Sequence, residues 1–332
     1  MEAIVIEKPG AAHHRQVPEP EPGAGECLLQ PLAGGICGTD VHIWQGDFLG
    51  RYPVIPCHEF SARVIASGLG VTGLEIGDIV AVDPNIRCGR CPACRRGEIN
   101  LCEAYEAIGV TRPGGFAGRV CAPAANLHRL SGADPGAAAF TEPLACVLYG
   151  QSRLDWEPGL RVIIWGAGAI GLLHLQVCQQ LRGARVTMVD RDAARVAAAA
   201  RLGAAQSLLW ENGEPPLLRG ELWDIAIDAT GNAAAAGRMF RYLRRGGQAL
   251  LFGVYPTAAR LDLAPTEIFT HDWKILGSFT YRHEFAQAAQ LIGAAAIDTA
   301  SLIARCIPLA EVPGILARMA AGEALGKVQV LP

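Results

Sequence analysis

The chain has no excess of charge of either sign. Lysine and arginine number 29 against 32 aspartates and glutamates, a net charge of −3. Binding nucleic acid or an anionic membrane needs a concentrated basic face, so neither partner is expected. Lysine is almost missing: Lys8, Lys274 and Lys327 are all there are, and scattered arginines supply the other basic groups. No stretch reaches the roughly 18 uncharged apolar residues that a membrane-spanning helix needs. The first ten residues hold Glu2, Glu7 and Lys8 and no basic segment followed by an apolar run, so no secretory leader is expected. Disorder is excluded as well, because 51% of residues are hydrophobic and 18% charged. No repeat period appears.

Cysteine is what the chain does have. There are 11, and four fall between Cys88 and Cys102. A cytoplasmic location is expected, and there clustered cysteines signal metal or catalysis rather than disulfides. The length of 332 residues suggests two domains at roughly 150 residues each.

The chain changes texture near Pro135. Before it, Gly and Pro punctuate short β-branched runs at Ala3–Ile6, Cys27–Leu32, Ala62–Ser67, Ile79–Val82 and Gly118–Pro123. These predict strands of a partly closed β-barrel. After it, an Ala-rich helix is expected at Gly136–Leu154. Strands at Arg161–Trp165, Arg185–Asp190, Leu208–Trp210, Ile225–Asp228 and Ala249–Val254 then alternate with helices at Leu172–Leu181, Ala193–Leu202 and Ala233–Leu243. That alternation predicts an α/β parallel sheet. A later strand at Lys274–Ser278 and helices at His283–Ile292 and Ala310–Ala321 follow. The last two strands are expected to return to the first domain.

Gly166, Gly168 and Gly171 form G-x-G-x-x-G after a strand and at a helix start. The first glycine makes the turn, the second admits a pyrophosphate, and the third lets helix and strand pack closely. Asp190 ends the next strand. A carboxylate there accepts the ribose hydroxyls and repels a 2′-phosphate, which favours NAD over NADP. The following Arg191 works against that preference.

Cys88, Cys91, Cys94 and Cys102 are spaced C-x2-C-x2-C-x7-C. Four thiolates close a tetrahedral structural zinc site, with an iron–sulfur cluster as the chemical alternative. Arg87, Arg90, Arg95 and Arg96 are expected to offset the thiolate charge. A second set joins Cys37, His58-Glu59 and Glu142. One thiolate, one imidazole and a carboxylate leave a zinc position open to substrate.

Taken together, Cys37-Gly-Thr-Asp-Val-His42, His58-Glu59, the Cys88–Cys102 lobe, Glu142-Pro143-Leu144, the Gly166–Gly171 turn and Gly277-Ser-Phe-Thr-Tyr281 carry a resemblance across essentially the whole chain. It resembles the zinc-dependent medium-chain dehydrogenase/reductases, the alcohol dehydrogenase superfamily, and within them the polyol (sorbitol-type) branch. The resemblance implies a GroES-like β-barrel catalytic domain at residues 1–145 and 295–332, holding both zinc sites. A doubly wound Rossmann domain would occupy residues 146–294. It implies catalytic zinc on Cys37, His58 and Glu59, with Glu142 as a further ligand or bonded to the zinc water. Thr39 and His42 would relay the proton. NAD contacts would fall on Ile170, Asp190, Arg195, Thr230, Phe252, Gly253, Val254, Ser278, Phe279 and Thr280. The implied reaction passes hydride from a secondary alcohol, a polyol, to NAD, in a homodimer or homotetramer.

The chain departs from that pattern in places. Cys57 stands where relatives usually have glycine, implying backbone that needs less freedom; it is not expected to ligate zinc. Ile43 and Thr280 replace the usual substrate-touching Tyr and Arg, although Tyr281 is kept and Arg282 follows. Trp44, Phe48 and Glu142 are expected pocket walls. Cys27, Cys121, Cys146, Cys178 and Cys306 are expected as plain buried thiols. Two competing functions fit the same motifs: an L-threonine 3-dehydrogenase-like oxidation, and a dinucleotide-binding protein without catalysis.

Overall fold

The computed structural model describes every residue except Phe48, Leu49, Ser131, Asn212 and Glu214. Phe48 as a pocket wall therefore lies outside the described residues. The chain divides into two units, Met1–Ala145 with Arg282–Pro332, and Cys146–Tyr281.

The first unit is built on a seven-stranded sheet. Its central strand, Glu26–Gly35, alternates buried and half-buried residues, the period of a strand with one face in a core. Glu59–Ser67 pairs beside it, antiparallel. Lys327–Leu331 pairs on its other side and carries Ile303–Pro308 parallel to itself. The C-terminal strands thus complete the sheet that the N-terminal strands begin. Ile4, Leu29, Phe60, Val80, Phe116 and Val330 are buried in its core.

The second unit is a parallel six-stranded sheet. In spatial order its strands are Gln206–Leu209, Arg185–Asp190, Arg161–Trp165, Trp223–Asp228, Leu243–Leu251 and Lys274–Gly277. Chain order reverses beside Arg161–Trp165, which makes the doubly wound topology with a switch point where ligands bind. Val162–Trp165 is buried throughout, as a strand covered on both faces requires.

Two expectations need correcting, and one boundary reads differently by packing: the second compact unit closes at Tyr281, where the domain is expected to run to residue 294. Helix Phe285–Gly293 packs instead on the first unit, with the Phe285 ring 4.8 Å from that of His128. The helix expected at Gly136–Leu154 is two helices, Pro135–Ala138 and Thr141–Ser152. Pro143 has no N–H to continue a helix through Ala139, so the chain restarts with proline in a first turn, where it is tolerated. No disulfide joins the cysteines, but Cys306 is exposed and Cys121 and Cys146 are only half-buried. Among the described residues, no helix is long and apolar enough to cross a membrane.

Candidate active site

The glycine turn of the second unit is built as its spacing predicts. Gly166 has φ +97°, in the left-handed region. A Cβ on Gly171 would stand 1.8 Å from the Gly166 carbonyl oxygen. Gly171→Ala should therefore destabilise the chain by about 3 kcal/mol and weaken NADH binding more than tenfold. A thermal melt and an NADH fluorescence titration check both, and unchanged binding would contradict this role. Helix Ala169–Arg182 has Gly168 as its N-cap, with no side chain satisfying the first N–H groups. Those groups are available to an anion.

A cleft of about 880 Å³ lies at the switch point. Gly166, Gly168, Asp190, Arg195 and Thr230 line it. The Asp190 carboxylate accepts from the N–H of Ala167 (2.7 Å) and of Asp192 (2.9 Å), tying the second strand to the glycine turn. Arg191, Trp210 and Arg238 line the same cleft, and only Arg191 was singled out from sequence. Ile170 sits in the first turn of the helix. Phe252, Gly253 and Val254 follow strand Leu243–Leu251. The N–H groups of Phe252 and Gly253 donate to the Asp228 carbonyl, and Val254 is exposed. Ser278, Phe279 and Thr280 follow the edge strand. The hydroxyls of Ser278 and Thr280 are buried with no hydrogen-bond partner, and Phe279 is exposed. None of these last six lines the cleft.

In the first unit, Cys37, His58 and Glu59 converge, with their donor atoms all within 4.8 Å of one another. Cys37 is the N-cap of helix Gly38–Gln45, and Glu59 opens strand Glu59–Ser67. Asp40, fully buried, binds the two segments together. Its carboxylate accepts from the N–H of Cys37 (2.9 Å) and of Cys57 (3.2 Å). Sequence reasoning missed Asp40, although it stands inside the Cys-Gly-Thr-Asp motif.

Burial alone would lower the His58 imidazole. Cys37, Asp40 and Glu142 around it outweigh burial and hold it well above the usual histidine range. Burial, reinforced by Glu59, raises the Cys37 thiol. His58 Nδ1 is buried without a hydrogen-bond partner. A thiolate, an imidazole and a carboxylate with an unsatisfied buried nitrogen are the donor set that zinc takes, so these residues fit the ion. Glu142 is buried and its charge reaches His58, but it stands outside the three-donor cluster.

Thr39 and His42 lie on helix Gly38–Gln45, three residues apart and so on one face. His42 Nδ1 is 3.0 Å from Asp47 Oδ1. Cys57 corrects an expectation: its backbone is left-handed, φ +82°, so the position does need the freedom that glycine has. The Cys57 thiol donates to the Glu59 carbonyl (3.5 Å), turned to the backbone rather than toward a metal.

The four cysteines of the lobe also converge within 4.8 Å. Tetrahedral zinc with sulfurs at about 2.3 Å places them roughly 3.8 Å apart, inside that limit. Backbone N–H groups face the sulfurs: Cys88 N to Cys102 Sγ and Cys91 N to Cys88 Sγ at 3.4 Å, and Cys94 N to Cys91 Sγ at 3.5 Å. The Cys94 N–H and its neighbours bring Cys91 down to about 6, while burial and the adjoining sulfurs push Cys94 up to about 12. Of the arginines expected to offset the thiolate charge, Arg87 pairs with Asp83 at 2.9 Å and Arg96 with Glu98 at 2.8 Å.

Residues 23–132 match the alcohol dehydrogenase GroES-like domain, and residues 169–294 match the zinc-binding dehydrogenase domain. The chain is 37% identical to D-altritol 5-dehydrogenase of Agrobacterium fabrum, over 99% of both chains. The chain belongs to the zinc-binding dehydrogenase family. D-arabinitol dehydrogenase 1 of Uromyces fabae is 30% identical over 100% of this dehydrogenase and 97% of its own length. A zinc-binding dehydrogenase of Sinorhizobium meliloti, solved with NADP bound, superposes with a TM-score of 0.95. It shares 35% identity and covers 100% of this chain and 99% of its own. Both donor clusters lie inside the matched GroES-like segment, and Glu142 lies beyond it.

Proposed function

We propose that this dehydrogenase oxidises a secondary alcohol of a polyol to the ketone, with a nicotinamide dinucleotide taking the hydride. The observation that carries the reading is the convergence of Cys37, His58 and Glu59 beside a helix bearing Thr39 and His42. The relatives named for altritol and arabinitol support the substrate class. Cys37, His58 and Glu59 would hold the zinc, with the buried Glu142 carboxylate a further ligand or the partner of a zinc-bound water. Bound zinc supplies Lewis acidity that favours the alkoxide, and the nicotinamide supplies the hydride acceptor. Thr39 would relay the proton, its hydroxyl taking the alcohol proton as it passes its own on toward His42, which delivers it to solvent. Asp47 occupies His42 Nδ1, so Nε2 is the nitrogen left to take the proton.

NAD is the proposed cofactor, because Asp190 would repel a 2′-phosphate in the cleft. Arg191, Arg195 and Arg238 line that cleft and offer such a phosphate a partner. Asp190→Ser should therefore shift kcat/KM toward NADP by about 10²-fold, read by nicotinamide absorbance. An unchanged ratio would remove Asp190 from cofactor selection. The function itself is tested with a panel of alditols, simple secondary alcohols and L-threonine, each with NAD and NADP. Alditol turnover is expected. Threonine turnover without alditol turnover would replace the reading with the amino-alcohol one.

Two further proposals concern context. Strand Lys274–Gly277 ends the six-stranded sheet with a free edge, which supports a homodimer or homotetramer paired there. Eleven cysteines without a disulfide suit a reducing compartment, the cytoplasm.

A further inference from the structure

Lysine is scarce in this chain, yet one of its three lysines is buried against the candidate zinc donors. Lys327 opens the strand Lys327–Leu331, and its side chain is 8% exposed. Its ammonium forms an ion pair with Glu59 Oε2 and donates to the Ile36 carbonyl at 3.2 Å. Both groups lean across Gly35. A Cβ there would stand 2.6 Å from Glu59 Oε2 and 2.8 Å from Lys327 Cε. The glycine leaves a slot for a slender alkyl ammonium, and a planar guanidinium is the wrong shape for it. In a chain that otherwise uses arginine, this is where a lysine is needed.

The charges explain what it is needed for. Cys37, Asp40, Glu59 and Glu142 are four acidic groups gathered about His58. Set against one divalent ion, they leave two negative charges in a buried site. Lys327 removes one.

We infer that Lys327 is the positioning residue of Glu59. It engages one carboxylate oxygen, leaves the other for the metal, and draws off part of the charge that Glu59 donates. The inference rests on the proposed reading that Cys37, His58 and Glu59 hold a divalent ion. Its consequence is a metal bound less tightly than the donors alone allow, and more electrophilic for it. A purely structural lysine would have the opposite signature on removal, with affinity and stability falling together.

The test uses the full-length holoenzyme, comparing wild type with Lys327→Met and, should that fail to fold, with Lys327→Gln. Zinc affinity is measured by chelator competition, and the four-cysteine lobe serves as the internal reference. Because a positive charge beside the cation is removed, the variant should bind catalytic zinc about tenfold more tightly, with lobe affinity unchanged. Its kcat should fall about tenfold while KM for the dinucleotide holds. Cobalt substituted at the site should show displaced visible bands as Glu59 gains a free oxygen. Equal or weaker zinc affinity, or an unmoved cobalt spectrum, would overturn the inference. A wild-type chain that holds metal only in the lobe would instead overturn the site reading beneath it, so the two failures are distinguishable.

Discussion

Cys37→Ser should abolish alcohol oxidation while leaving the dinucleotide fingerprint intact. Serine matches the shape of cysteine but replaces a thiolate donor with a hydroxyl that stays protonated at neutral pH. His58, Glu59 and Glu142 then remain, with the thiolate gone from beside an imidazole it helped hold in place. Losing the Lewis acid removes several kcal/mol from the transition state, about 10³-fold or more in kcat/KM. NADH binding should persist, because Gly166, Gly168 and Asp190 belong to the other unit. Substrate kinetics, an NADH titration and a zinc count check this on one preparation. Retained turnover after zinc removal from that variant would sink the mechanism.

Cys94→Ser should act on stability instead. The lobe has almost no apolar core of its own: Cys91, Ala93 and Cys102 form its buried apolar cluster, with Cys88, Cys94 and Tyr105 packed against them. Cys94 sits in the four-residue helix Pro92–Arg95, far too short to be stable alone. Metal coordination must therefore supply most of the local folding free energy. Losing one thiolate should cost about 3 kcal/mol and lower Tm by roughly 5–10 °C. Proteolysis should begin within residues 88–102. Chains still folded at low temperature should oxidise alcohol at close to the normal rate. An unchanged melt with both zinc ions retained would contradict a structural role for the lobe.

The Cys94 outcome rests on a feature local in the chain, whereas the Cys37 outcome joins segments more than 20 residues apart. The four-cysteine spacing and the strand–turn–helix at Arg161–Arg182 can be read from neighbouring residues, because spacing alone brings the groups together. The tail was also legible, since Lys327–Leu331 is apolar enough to need a sheet to join. Helix Gly38–Gln45 was not. It is short, buries only Asp40, Val41 and Ile43, and is capped by a cysteine instead of a serine or aspartate. Yet it carries Thr39 and His42. The Asp40 bridge to Cys57 and the Lys327–Glu59 pair were hidden for a different reason. Each joins residues far apart in sequence, and a lone polar residue does not announce its partner. The left-handed backbone at Cys57 contradicts a reading from residue type, because cysteine does not announce a positive φ; the turn sets the Cys57 carbonyl where a Cβ on Gly109 or Gly114 would stand 2.3 Å from it.

Zinc counted per chain is the most direct test of the whole account. Wild type should hold two ions, Cys37→Ser one, and Cys94→Ser one, with alcohol oxidation lost only in the Cys37 variant. A wild-type chain that oxidises alcohols at full rate with one ion or none would contradict it.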